Sequence, residues 1–202
     1  MFVLGLTGKT GAGKSMVCSL LREKGCYIID ADKVAREILE VGSPVIEKLS
    51  EVFGEDIVKY NGEVDRKLLA KKAFSSREET EKLNAITHPA IREKIADEIE
   101  TAKIEEYEVC VVDAAALLES SVRLDCEKVA VVFAPNDVRL KRIIERDNLS
   151  VSDAKRRMDA QMADEFYLEK ADIIIINDNV TDFDSEFRKL LKFIEINKQK
   201  GM

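Results

Sequence analysis

A chain of 202 residues, 46% of them hydrophobic, can bury the full core of one domain. Its net charge of −7 excludes a nucleic-acid binder that relies on a broad basic surface, and no apolar stretch reaches membrane-spanning length. Cys18, Cys26, Cys110 and Cys126 show no C-x-x-C spacing and read as buried reduced thiols, not as a metal site or a disulfide framework. The N-terminus has neither the basic start nor the cleavage site of a signal peptide, so the expected location is the cytoplasm.

The first apolar run, Met1-Phe2-Val3-Leu4-Gly5-Leu6, reads as a buried parallel strand. Directly after it, Gly8-Lys9-Thr10-Gly11-Ala12-Gly13-Lys14-Ser15 fits G-x-x-x-x-G-K-[ST], and residues 16–24 have helical spacing closed by Gly25. Strand, glycine-rich turn and helix together make a phosphate cradle. The glycines let consecutive N–H groups converge on an anion, and the helix N-terminus adds partial positive charge. Lys14 is expected to bridge the β- and γ-phosphates, and the Ser15 hydroxyl to bind Mg2+. This is a nucleoside-triphosphate site.

A second strand is expected at 26–29, followed by a helical stretch with helices at 33–39, 44–53, 66–74 and 78–105. Turns fall at Gly42-Ser43-Pro44, Tyr60-Asn61-Gly62 and Ser75-Ser76. Strands follow at 109–112 and 128–133, then a helical piece at 135–170 carrying Arg139, Lys141, Arg142 and Arg146, and a last strand at 172–176. The amphipathic segment 183–200 presents Phe183, Phe187, Leu190, Leu191 and Ile194 on one face and should pack on the sheet. β-branched runs alternating with helices imply an α/β fold with a five-stranded parallel sheet flanked by helices. The expected division is a P-loop core of residues 1–31, 107–134 and 171–202, a helical acceptor-binding region at 32–106, and a helical lid over the nucleotide at 135–170.

Asp30-Ala31-Asp32 ends the second strand, where open α/β sheets bind ligands. A carboxylate there suits a kinase that must take a hydroxyl proton or hold magnesium, and it equally suits a cap on the following helix.

Gly5-Leu6-Thr7-Gly8 with Gly11-Ala12-Gly13-Lys14-Ser15, then Ile29-Asp30-Ala31-Asp32-Lys33-Val34-Ala35-Arg36, resembles the dephospho-coenzyme A kinase family. Gly42-Ser43-Pro44, Phe53-Gly54, Asp65-Arg66-Lys67-Leu68-Leu69-Ala70 and Leu83-Asn84-Ala85-Ile86-Thr87-His88-Pro89 continue the match in order, as do Leu140-Lys141-Arg142, Ala160-Gln161 and Ala171-Asp172…Asn177. The similarity spans almost the whole chain. It implies ATP- and Mg2+-dependent phosphorylation of the ribose 3′-hydroxyl of dephospho-coenzyme A, a small-molecule substrate. It further implies Asp32 as general base or magnesium-side carboxylate, Lys14 as phosphate clamp, and Arg142 as the arginine neutralising the transferring phosphoryl group, with Arg146 beside it. ATP contacts are implied for Gly11, Ala12, Gly13, Lys14, Ser15, Met16, Arg142 and Asn177, and substrate contacts for Thr7, Asp32, Arg36, His88 and Leu117. His88 and Arg36 also have plainer readings, a local backbone contact and a solvated helix face. A related kinase for another nucleoside or nucleotide, and a nucleotide-binding regulator without turnover, are the alternative functions.

Three segments depart from the family pattern. Lys9-Thr10 replaces a Gly-Ile pair in the phosphate loop, Ala115-Ala116 lacks the proline of Asp-x-Pro-Leu-Leu-x-Glu in the run from Asp113 to Glu119, and Phe166-Tyr167-Leu168 replaces a basic stretch. Lys9 is expected to sit where glycine is cheaper and to point to solvent; the alternative is that it stands in for the cations missing at Tyr167 and Leu168.

Overall fold

Apolar runs without polar alternation can be wetted on neither face, and the chain buries them in the middle of a layered fold. The computed structural model describes residues 1–118, 123 and 125–199. Every residue of β1 (Phe2–Thr7) is buried. It pairs in parallel with β3 (Val109–Asp113) on one side, Leu4 opposite Val111, and with β4 (Lys128–Phe133) on the other, Leu6 opposite Ala130. β2 (Tyr27–Asp30) adds to β3 and β5 (Ile173–Ile176) adds to β4, giving the order β2-β3-β1-β4-β5 with all pairs parallel. Parallel strands end on one rim, so Thr7, Asp30 and Asp113 share it, with the loop after β1 at its centre.

The expected strands all form, with ends shifted by one residue at most. Cys26 is excluded from β2 because its N–H goes to Leu21 O, closing the helix before it. That helix, α1 (Lys14–Glu23), buries Val17, Cys18 and Leu21. They share a cluster with Leu4, Leu6, Val132 and Ile175.

The chain divides into two compact units, Met1–Asp30 with Ile99 onwards, and Ala31–Glu98. In the first, the segment between β4 and β5 folds as α6 (Asn136–Asp147), α7 (Val151–Asp159) and α8 (Asp164–Leu168). Asn148 closes α6 in the left-handed conformation, and the Ser150 hydroxyl accepts from Asp153 N to cap α7. α9 (Phe183–Lys198) buries Phe187, Leu190 and Ile194 in the sheet cluster, as its amphipathic pattern requires. Glu119 and Lys200, the ends of two segments singled out in the sequence, lie outside the described residues.

In the second unit, α2 (Ala31–Glu37), α3 (Pro44–Phe53), a 3-10 turn (Glu55–Ile57), α4 (Arg66–Ala73) and most of α5 (Arg77–Ile104) enclose Ile38, Val45, Leu49, Phe53, Ile57 and Leu69. Ser43 caps α3 by accepting from Val45 N, with Pro44 at the first helical position. Asp65 caps α4 by accepting from Lys67 N and Leu68 N. α5 continues through Pro89, which removes one backbone donor, and Thr87 Oγ1 donates to Leu83 O in the preceding turn. The turn at Tyr60-Asn61-Gly62 closes a short antiparallel bridge, Val58 to Val64, that helical periodicity alone does not announce.

All four cysteines are buried thiols outside any disulfide, and burial pushes the Cys126 thiol up to about 12. Leu49 has no exposed surface. Leu49→Ala is expected to cost about 2–5 kcal/mol, read as a lowered urea midpoint.

Candidate active site

A loop whose N–H groups are to face an anion must place its carbonyls elsewhere, and here nearly all of them are taken. Lys14 Nζ donates to Gly8 O at 3.3 Å. Ala12 N donates to Lys9 O, and Met16 N to Gly13 O at the start of α1. Gly11 O accepts from Arg142 Nη1 at 3.3 Å, and Ala12 O accepts from Asn177 Nδ2 at 2.8 Å. The reverse of the loop is thus held by one residue from α6 and one just beyond β5.

The glycines have distinct reasons. Gly11 and Gly13 have φ of 79° and 102°, the left-handed region that side chains rarely enter. A Cβ on Gly11 would also lie 2.8 Å from Arg139 O, and one on Gly13 would collide with Asn177 Nδ2. Lys9 and Thr10 have negative φ, since Glu106, Asn148 and Asn179 are the described non-glycine residues with positive φ. Lys9 therefore needs no glycine conformation. It does not point to solvent either: its ammonium lies 2.8 Å from Asp164 Oδ1, with the side chain 13% exposed. Both expectations for this position are corrected.

Arg142 is wired to the loop. Its guanidinium donates to Gly11 O, to Asn177 Oδ1 at 3.1 Å and to Asn179 Oδ1. Asn177, 93% buried from its 7% exposure, links α6, the loop and β5. Arg146 is engaged bidentately by Asp147 at 2.8 Å, and Arg157 joins the same carboxylate. Ser15 and Met16 are exposed at the start of α1.

Thr7 has no exposed surface, and its hydroxyl donates to Ala115 O at 3.3 Å. Leu117 is also fully buried, against Gly5 of β1. The structure places Leu117 in the core instead of on an open pocket wall, because the residues after β3 fold back over the sheet. Asp32 is exposed in the first turn of α2, inside the helix and not at its cap, and among the described residues its carboxylate makes no hydrogen bond or ion pair. Arg36 is exposed, and its carbonyl accepts from Arg66 Nη2. His88 is half-buried within α5.

Asp113, which opens the family-like run ending at Glu119, has a place in the site that its sequence alone did not assign. It ends β3 beside Leu6 of β1, and Cys18 Sγ donates to its Oδ2 at 3.3 Å. Burial first, then Asp113, pushes the Cys18 thiol far above its ordinary range, so it is the hydrogen donor of this pair. Cys18 lies three residues after Ser15, on the same side of α1, so the Asp113 carboxylate and Ser15 hydroxyl flank one stretch of helix. A hydroxyl and a carboxylate are hard oxygen donors, a set that fits Mg2+ arriving with nucleotide phosphates. The available signal was an Asp closing the all-apolar run Val109-Cys110-Val111-Val112.

A parallel sheet in this order, with a phosphate loop after its central strand and acidic residues on the same rim, is the fold of the P-loop kinases. The shikimate kinase of Acinetobacter baumannii shares that fold, at a TM-score of 0.55 and 17% identity, with 98% of this chain and 95% of that one covered. The model of the dephospho-CoA kinase family matches residues 2–182. A dephospho-CoA kinase of Corynebacterium glutamicum is 41% identical over 192 residues, covering 95% of this chain and 96% of the relative. The solved dephospho-CoA kinase of Campylobacter jejuni superposes with a TM-score of 0.69 at 31% identity, covering 99% and 98%. The chain belongs to the dephospho-CoA kinase family.

Asp113→Asn keeps the shape of the residue and removes its charge. It should raise the Mg2+ concentration needed for half-maximal turnover by roughly 10–100-fold, with the sheet intact by circular dichroism.

Proposed function

We propose that this chain, working in the cytoplasm, transfers the γ-phosphoryl group of ATP to the ribose 3′-hydroxyl of dephospho-CoA, giving CoA and ADP. The observation that carries the reading is the family match over residues 2–182 joined to a complete phosphate loop on the acidic rim. Among the described residues no helix is long and apolar enough to cross a membrane.

The N–H groups of Gly11 to Ser15 cradle the triphosphate, supported by the N-terminus of α1. Lys14 exchanges its bond to Gly8 O for the β- and γ-oxygens, trading a neutral acceptor for an ionised one. Ser15 and Asp113 would hold Mg2+, which when bound would supply neutralisation of the charge gathering on the phosphate oxygens. Asp32, exposed and without a hydrogen-bond partner among the described residues, accepts the proton of the 3′-hydroxyl as that oxygen attacks phosphorus. Asn177 fixes the loop toward the adenine end, and Arg142 turns its Nη2 from Asn177 and Asn179 to the transferring group while Nη1 keeps its bond to Gly11 O. Residues 32–106 bind the acceptor, with Arg36 and His88 as polar anchors, and residues 135–170 close over the nucleotide to exclude water.

ADP release measured with dephospho-CoA, adenosine, AMP and uridine as acceptors tests the assignment; faster turnover of AMP or uridine would make the chain a kinase of another substrate. In the same assay Asp32→Asn should lower kcat by roughly 10²–10⁴ while ATP affinity stays within a few-fold. Unchanged kcat would move the proton-accepting role to Asp30 or Asp113.

A further inference from the structure

Two neighbouring residues of the phosphate loop are held by the turn before α8 and by the first residue of that helix. Lys9 Nζ lies 2.8 Å from Asp164 Oδ1, and Thr10 N donates to Gln161 Oε1 at 2.8 Å. Both side chains of the ion pair are largely out of solvent, at 13% and 27% exposure. Beside them lies Arg139 of α6, 1% exposed, bonded to Asn136 and with Nη2 3.7 Å from the same Asp164 oxygen. Arg139 Nε and Nη1 have no hydrogen-bond partner among the described residues. Lys9, Ala12, Arg139, Asp164 and Tyr167 line a cavity of about 10 Å³, space for one water at most.

Two cations therefore share one carboxylate in a nearly dry cluster under the loop. Such a cluster holds its geometry, because moving Asp164 would leave Arg139 buried with its charge unbalanced. The glycine-rich loop otherwise has a large conformational entropy to lose when phosphates bind. A lysine at the second loop position, desolvated against a residue of α8, removes part of that cost in advance.

We propose that Lys9 is a positioning residue for nucleotide binding: its ion pair with Asp164 ties the phosphate loop to residues 161–168, so that loop and segment order together when ATP enters. The inference rests on the loop being the ATP site. The coupling runs both ways, since whatever the segment does for ATP affinity, ATP does for the segment's order. Because Lys9 faces α8 and not the phosphates, its effect falls on binding and not on the transfer step.

A double-mutant cycle of Lys9→Met and Asp164→Asn tests this, with Lys9→Arg as the conservative variant. The readouts are the Kd of a non-hydrolysable ATP analogue with Mg2+, KM and kcat separately, and hydrogen exchange of amides 160–168 with and without the analogue. Lys9→Met should raise Kd and KM for nucleotide about three- to tenfold with kcat changed less than twofold, the mark of lost uniform binding. The double variant should bind no worse than the poorer single one, analogue protection of amides 160–168 should vanish in Lys9→Met, and Lys9→Arg should restore it. Additive losses in the cycle, or unchanged protection in Lys9→Met, would overturn the proposal. If Asp164→Asn does not fold for want of a partner for Arg139, the exchange comparison of wild type, Lys9→Met and Lys9→Arg decides alone. Failure of the wild type to bind the analogue would sink the ATP reading, a result separate from additive losses in a wild type that binds.

Discussion

Backbone N–H groups can converge on a phosphate only while the carbonyls of the same loop are satisfied on its far side, and that condition organises this molecule. Gly8, Lys9, Gly11, Ala12 and Gly13 each have their carbonyl in a hydrogen bond, from Lys14, the loop's own turn, Arg142, Asn177 and the first turn of α1. Lys14 can leave Gly8 O for a bound phosphate, but without the bonds to Gly11 O and Ala12 O a glycine-rich segment has no reason to keep its amides aligned. The position of α6 and the placement of Asn177 one residue past β5 serve this requirement first.

The parallel sheet supplies the second ingredient without extra cost. Because β1 and β3 run side by side in register, the last residue of β3 emerges beside the start of the phosphate loop. A carboxylate at that point lies next to the helix whose N-terminus receives the phosphates, and the thiol of Cys18 orients it from within α1. Acidic charge so close to an anion site favours a cation between them.

What the sequence disclosed follows from locality. Strand, loop and helix of the cradle are contiguous, so their pattern was complete within residues 1–24, and the 28-residue α5 was readable through Pro89 because its period never broke. The parallel pairing is likewise what alternating apolar runs and helices imply, whereas the strand order is set by contacts between distant segments. The reverse-face roles of Arg142 and Asn177 were hidden, since nothing near either residue mentions Gly11 or Ala12. Lys9 misled for the same reason: its partner is 155 positions away in sequence (164 minus 9), and a lysine in a loop looks solvated until that partner is seen. Leu117, a substrate contact by the family resemblance, is spent by the fold on covering Gly5. Asp113 was legible as an acidic residue ending an apolar strand, as Asp30 is, but its neighbour Cys18 on α1 is 95 positions away in sequence and gave no local sign of the pairing.

The hydrogen bond from Asn177 to Ala12 spans 165 residues of chain. On a ribosome adding roughly 5–20 residues per second, the phosphate motif emerges on the order of ten to thirty seconds before the side chain that braces it. For that interval the nascent polypeptide carries every letter of the motif with the Ala12 carbonyl still unbraced. Competence to hold a triphosphate is thus among the last properties acquired during synthesis. A message cut short before codon 177 would yield a product with the whole signature and an unbraced loop.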